Sequence, residues 1–407
     1  MTTPTRPLSL FHLLDPEVLA DPYPLYARLR HESPVLWDRF LGAWVVTRYD
    51  DVEHVLTRFR AERTPTPERL TELGMHRLAP VAQVMVKQVI FMDPPQHGRV
   101  RGLAAAAFMA RRVERMRDHI RDIANDLVDR VVAQGHMDLM HDFANPLPAI
   151  VTAEMLGVPA EDHEQLRIWS QDFGQMLGNF QHNPDNIDGV LRAVSEMDPY
   201  FRRELKRQSG APTEGLIGAL SQVRMDGDRL SDDEVVANAI MAMVAGLETT
   251  TNLIGNGLLT LLRHPAALED LRADLTAVPT AVEELVRYES PSQLTARIAP
   301  DNAVVGGQAI EAGQAVIAVV GAANRDPERF ESPDVLDLAR KDNRHLGFGW
   351  GPHFCFGGPL ARIEGQIAFE TLLSRLDGLE LADGHPQWRS TNLGLRGLDT
   401  LPIRWRV

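Results

Sequence analysis

One helix sets the terms for how this chain can fold. Ser231 followed three residues later by Glu234 is a capping box, and apolar periodicity then runs to about Arg263 before Pro265 ends it. Roughly 33 residues rising 1.5 Å each make a rod of about 50 Å. Such a rod crosses a whole domain, so the remaining elements must pack around it. Further helices are expected over 22–30, 113–134, 161–177, 190–208, 280–289 and from Pro359 onward. The 113–134 stretch carries Met116, Ile120, Ile123, Leu127 and Val131 at three- and four-residue steps and is stopped by Gly135. Asn183-Pro184-Asp185 marks the loop between two of these helices. Short strands are expected at 42–47, 303–305, 315–320 and within 393–405. The fold class is therefore mainly α with small β-sheets, in one domain over 1–407. Its β-rich lobe would come from 35–60, 300–322 and 390–407.

Composition narrows the function. A net charge of −14 argues against nucleic acid, which needs a basic stripe. No run of about 18 uncharged apolar residues occurs. The longest apolar stretch, 235–262, is broken by Asn238, Glu248, Asn252 and Asn256. The first residues, MTTPTRPLSLFHLL, lack the pattern of a secretory leader, so a cytoplasmic protein without a membrane span is expected. There is one cysteine, which rules out an internal disulfide, a four-cysteine zinc site or a protein-borne iron–sulfur cluster. A lone cysteine is by default a small buried hydrophobe.

Its neighbours overturn that default. Five glycines fall within Gly347-Phe348-Gly349-Trp350-Gly351-Pro352-His353-Phe354-Cys355-Phe356-Gly357-Gly358. Such a loop folds tightly and turns several N–H groups one way. Cys355 stands just before the N-terminus of the helix starting near Pro359, where a thiolate is favoured. Amides of Phe356 and Gly357 could tune it as a metal ligand, with Phe348, Phe354 and Phe356 keeping water away. A nucleotide loop is a poor reading, because no Lys-Ser/Thr follows and Pro352 intrudes.

The loop resembles the haem-binding signature of the cytochrome P-450 family, matched at Phe348-Gly349, Gly351, His353, Cys355, Gly357 and Leu360-Ala361-Arg362. Three other stretches are similar to family motifs. Ala245-Gly246-Leu247-Glu248-Thr249-Thr250 lies mid-way along the long helix, with a glycine and threonines that are poor helix formers. A hydroxyl bonding back to a preceding carbonyl would loosen the helix there. Read alone, the stretch could equally be a polar patch on a buried helix. Glu284-Leu-Val-Arg287 matches E-x-x-R, whose two ends share a helical face and can pair. Met92-Asp93-Pro94-Pro95-Gln96-His97, continuing to Arg101, puts His97 and Arg101 on one side of a helix. Ala323–Pro327 and Trp44–Asp50 are family-like as well.

The resemblance implies a cytochrome fold binding haem b (iron protoporphyrin IX), with Cys355 as axial ligand. His97, Arg101, Arg297 and His353 would meet the haem propionates, and Ala245, Phe348 and Gly357 would border the cofactor. It implies that Glu248 and Thr249 handle protons for oxygen activation and that Glu284–Arg287 is structural. The activity implied is insertion of one atom of O2 into a small organic substrate of the kind secondary metabolism handles. Electrons would come from NAD(P)H only indirectly, through a ferredoxin or flavodoxin and its reductase, to a monomeric enzyme. Arg99, Arg111, Arg112, Arg115 and Arg362 are candidates for a basic docking face. By position, Met241, Val244, Ala245, Gln293, Leu294, Gly394 and Leu395 should face the substrate, together with loops at about 60–90 and 165–190. That mostly apolar set suits a terpenoid, steroid, fatty acid or polyketide. A peroxide-driven or non-oxygenating haem-thiolate catalyst, or a haem sensor, is the alternative. The retained Glu248-Thr249 pair speaks against the first two, and the lack of a signalling domain against the third.

Overall fold

The computed structural model describes residues 7–107, 110–176, 187–210, 215–225 and 227–407. Its central helix spans Asp232–Arg263, and the capping box forms as expected. Ser231 Oγ accepts from the Glu234 N–H at 3.2 Å, and Glu234 Oε2 accepts from the Ser231 N–H at 2.8 Å. Most of this helix is buried, because others cover it on several sides: Pro146–Leu156, His163–Gly174, Ile187–Gly210, Val278–Tyr288 and Gly358–Arg375. Close crossing explains part of its glycine content. A methyl group on Gly257 would sit 2.5 Å from Cζ of Phe369, on the helix that follows the cysteine. No described helix is long and apolar enough to cross a membrane.

The strands are β1 (Val35–Asp38), β2 (Ala43–Val46), β3 (His136–Asp138), β4 (Leu294–Ile298), β5 (Ala303–Val305), β6 (Gln308–Ile310), β7 (Ala315–Val319), β8 (Asp377–Leu381), β9 (Gln387–Trp388), β10 (Leu398–Thr400) and β11 (Pro402–Arg406). The largest sheet has the order β1-β2-β7-β4. In it β2 runs parallel to β7, with Trp44 opposite Val316, and β4 runs antiparallel to β7, with Arg297 also opposite Val316. The helix Tyr49–Arg58 packs on this sheet through Val52, Val55 and Leu56.

Three expectations need correction. The 113–134 stretch is not one helix. It is Ala110–Arg115, Arg117–Asp129 and a 3-10 turn at Val132–Gln134. The step at Met116 is an i→i+3 bond from its N–H to Val113 O, which keeps the apolar residues on one face and so hides the break from periodicity. The C-terminal strands do not join the β-rich lobe: β11 lies between β3 and β8, in a separate sheet against the main helical core. Residues 49–58 are helical, and the lobe instead gains β4, where Leu294, Ala296 and Ile298 alternate with Thr295 and Arg297, a short signal that the sequence reading passed over. The Asn183-Pro184-Asp185 loop lies outside the described residues.

Candidate active site

The cysteine loop is built from tight turns. Gly349 N–H donates to Leu346 O at 2.8 Å, Phe354 N–H to Gly351 O at 3.0 Å, and Cys355 N–H to Phe348 O at 2.8 Å. Gly351 sits at φ +68°, where side chains are disfavoured, and a methyl group there would press on Cα of Thr57 at 3.2 Å. Gly357 caps the helix Gly358–Arg375, with Pro359 in its first turn. Burial pushes the Cys355 thiol up, while the N–H groups of Gly357 and Gly358 and the guanidinium groups of Arg362 and Arg101 favour its anion. Arg362 is held in turn by Glu283, at 2.6 Å, and lies 4.1 Å from the centre of the Phe348 ring. Phe354 is 39% exposed, so it does not shield the thiol as the sequence suggested.

Beside the loop is a set of nitrogen donors, with His97 and Arg297 buried and Arg101 and His353 partly exposed. The rings of His97 and His353 lie 4.2 Å apart, and Arg101 donates to Phe354 O at 2.5 Å. Arg297 projects from β4, only 5% exposed, bonding Thr295 Oγ1 at 3.0 Å and Ala296 O at 2.8 Å. Its Nε and the Nε2 of His97 have no hydrogen-bond partner, and no ion pair to Arg297 forms among the described residues. Burial lowers Arg297 to about 10, with Asp93 opposing. Burial and then the neighbouring His97 and Arg297 bring His353 down to about 3. Buried cations without anions are costly. A group bringing paired carboxylates into this place would satisfy both orphaned nitrogens, so the donor set fits a haem.

On the central helix, Ala242, Ala245, Gly246 and Thr249 form an accessible strip amid buried neighbours. Their steps of three, one and three residues keep them on one face. Thr249 Oγ1 donates to Ala245 O at 2.7 Å, the back-bond expected, yet the helix stays α-helical throughout. Glu248 points elsewhere. It is 8% exposed and meets Arg389 Nη1 at 2.6 Å, while Arg389 Nε reaches Asp399 at 3.1 Å. Sequence reading missed Arg389, which lies 141 positions from its partner. The one available signal was an arginine in a C-terminal segment that had to return to the core.

Glu284 and Arg287 are fully buried and joined by two bonds of 2.7 and 2.8 Å. Arg340 also donates to Glu284, and Arg287 to the carbonyls of Asn324 and Pro333. This fastens the helix Val278–Tyr288 to the meandering chain before the cysteine.

Several expected cavity residues face packed protein instead. Val244 is fully buried in the helical core, toward Gly174. Gln293 donates to Ser290 O at 2.8 Å, and Leu294 packs with Leu10, Leu13 and Tyr26 near the N-terminus. Gly394 is buried and gives its carbonyl to Gln293 N–H at 2.8 Å; Met241 is 7% exposed and Leu395 partly exposed. The proposed basic face is also reduced, since Arg99 pairs with Asp228 and Glu234, and Arg362 with Glu283. Arg115 is exposed, and the side chains of Arg111 and Arg112 lie outside what is described.

Comparison with known proteins agrees with this geometry. The family model described as Cytochrome P-450 matches residues 36–398. The chain is 39% identical over 392 residues to a biotin biosynthesis cytochrome P-450 of Bacillus subtilis, covering 95% of this chain and 97% of that one. It is 38% identical over 416 residues to the cytochrome P-450 monooxygenase PikC of Streptomyces venezuelae, covering 100% and 96%. Among solved structures, P450BioI in complex with an acyl carrier protein ligated to hexadec-9Z-enoic acid superposes with a TM-score of 0.90 at 37% identity, covering 96% of this chain and 99% of that one.

Proposed function

The chain belongs to the cytochrome P-450 family, and from that premise we propose how its own residues carry out a haem-thiolate monooxygenase reaction on an apolar organic substrate. The observation that carries the proposal is the pair of orphaned buried donors, His97 Nε2 and Arg297 Nε, beside the cysteine loop. Iron protoporphyrin IX, when bound, supplies the centre at which O2 is reduced and one oxygen atom passes to substrate.

Cys355 would hold the iron as a thiolate, supported by the amides of Gly357 and Gly358, which donate toward its sulfur. His97, Arg101, Arg297 and His353 would hold the porphyrin's two carboxylates. Phe348 and Gly357 of the cysteine loop and Ala245 of the central helix would border the group.

Proton handling falls to Thr249 and Glu248. The Thr249 hydroxyl donates to Ala245 O at rest; turning away frees both groups to hold a water on the accessible strip. Glu248 lies about 100° round the helix from Thr249, facing Arg389 rather than the strip. To carry a proton its carboxylate must leave Arg389. Asp399, 53% exposed and bonded to the same guanidinium, keeps that cation paired when it does. Arg389 thus positions Glu248 and ties it to a carboxylate at the surface.

Electrons come from a ferredoxin or flavodoxin with its reductase; the single cysteine of these 407 residues cannot build a cluster. A long-chain acyl or polyketide substrate is the class best supported, the first by the solved structure whose carrier protein bears hexadec-9Z-enoic acid and the second by a Bacillus subtilis relative, 36% identical, named for polyketide biosynthesis. The test is turnover of such substrates under labelled O2 with NADPH, ferredoxin and reductase. Product should carry label from O2 and none from labelled water. Label from water, or product formed with NADPH and no protein partner, contradicts the proposal.

A further inference from the structure

Arg63 belongs to no motif that the sequence singled out, yet the fold delivers it to the buried donors. The segment 60–63 is joined to β4 at its first residue. Arg60 N–H donates to Ile298 O at 2.9 Å and Ile298 N–H to Arg60 O at 3.0 Å, one residue beyond Arg297. Asp93 fixes the same segment from the other side, its two oxygens accepting from Ala61 N–H at 2.8 Å and Glu62 N–H at 3.1 Å. Arg63 then lays its guanidinium 4.6 Å from the centre of the Phe91 ring and bonds Ala61 O at 2.9 Å. Among the described residues it forms no ion pair, and Asp93 is already taken by backbone N–H groups and Arg60.

The charges then fail to balance. Arg60, Arg63, Arg101 and Arg297 are four cations, and Asp93 and Glu62, both in contact with Arg60, are two anions. Even with both histidines counted as neutral, the sum does not cancel. Two positive charges are left over. Burial, and after it the charge of Arg297, brings Arg63 down to about 9, with Asp93 opposing.

We propose that Arg63 is a further anchoring residue of the cofactor, joining Arg297, Arg101 and the two histidines in holding the two carboxylates of the porphyrin. This rests on the reading of the site as a haem site. Its distinct content is that the segment 60–63, which opens the stretch leading to Phe91, is tied down by the cofactor's charge and not by packing alone.

Haem release from the loaded enzyme to excess haem-free myoglobin tests it, with iron protoporphyrin IX and its dimethyl ester as the two probes. A charge-assisted hydrogen bond is worth roughly 1.5–3 kcal/mol, or about 10- to 100-fold in release rate. Arg63→Ala should speed haem release by about that factor, Arg63→Lys less, and Arg58→Ala hardly at all. With the dimethyl ester, which has no carboxylates, Arg63→Ala and the parent should release alike. Unchanged haem release in Arg63→Ala overturns the inference. So does equal acceleration for haem and ester, which would make Arg63 a packing residue only. Failure of the parent protein to hold haem would instead overturn the haem-site reading itself.

Discussion

Replacing Glu364 by glutamine should stabilise this protein at alkaline pH and leave it nearly unchanged at acid pH. Glu364 lies on the helix Gly358–Arg375, which follows Cys355, and is only 1% exposed, with Oε2 lacking a hydrogen-bond partner. Burial pushes its carboxyl from an ordinary value of 4.5 up to about 8. Below pH 4.5 the group is protonated in both folded and unfolded chains, so it costs nothing. As pH rises from 4.5 to 8 the unfolded chain gives up this proton and the folded one keeps it, so stability falls. The loss is complete above pH 8. At 1.36 kcal/mol per pH unit, the full effect is at most about 5 kcal/mol, and about 3 kcal/mol at pH 7. Calorimetric melting of haem-loaded parent and Glu364→Gln at about pH 5, 7 and 8.5 measures it, because other titrating groups are common to both. The melting temperatures should nearly coincide at pH 5 and separate by several degrees at pH 8.5, the variant higher. A constant offset at all three pH values, or a variant less stable at pH 8.5, refutes the reasoning.

Three further outcomes are expected. Arg101→Ala and Arg297→Ala should each speed haem loss by about 10- to 100-fold, the worth of one charge-assisted bond, with Arg58→Ala as the unaffected control. Thr249→Ala should consume NADPH at a comparable rate while releasing hydrogen peroxide in place of product, whereas Glu248→Gln should slow consumption itself; peroxide assay and product yield read the two. Arg389→Ala should cost about 3–5 kcal/mol by leaving Glu248 buried without its cation, and adding Glu248→Gln should restore most of it in a denaturation double-mutant cycle.

What the sequence disclosed follows from how local each signal is. The capping box at Ser231, the back-bond of Thr249 and the turns of the cysteine loop are set by residues within a few positions of each other. Pairings across the chain left no local trace. Neither Arg389 meeting Glu248 nor β11 lying between β3 and β8 could be read from neighbours. The cavity face shows the limit most clearly. Of Met241, Val244 and Ala245, all expected to face the substrate, Ala245 lies on the accessible strip with Ala242, Gly246 and Thr249, while Met241 and Val244 are buried one position before Ala242 and Ala245. That is a slip of one residue, about 100° of rotation. A helix buried on several sides is apolar nearly all round, so periodicity cannot fix which narrow strip stays open. Arg63 was passed over for a related reason. A lone arginine in a loop reads as a solvated charge until the fold places it beside Arg297.

The central claim is that Cys355 binds the iron as a thiolate, and the absorption spectrum of the reduced, carbon-monoxide-bound protein tests it most directly. The parent should show the band characteristic of thiolate-ligated haem, and Cys355→His should lose that band whether or not haem is retained. Persistence of the band in Cys355→His, or its absence from the haem-loaded parent, would contradict the account.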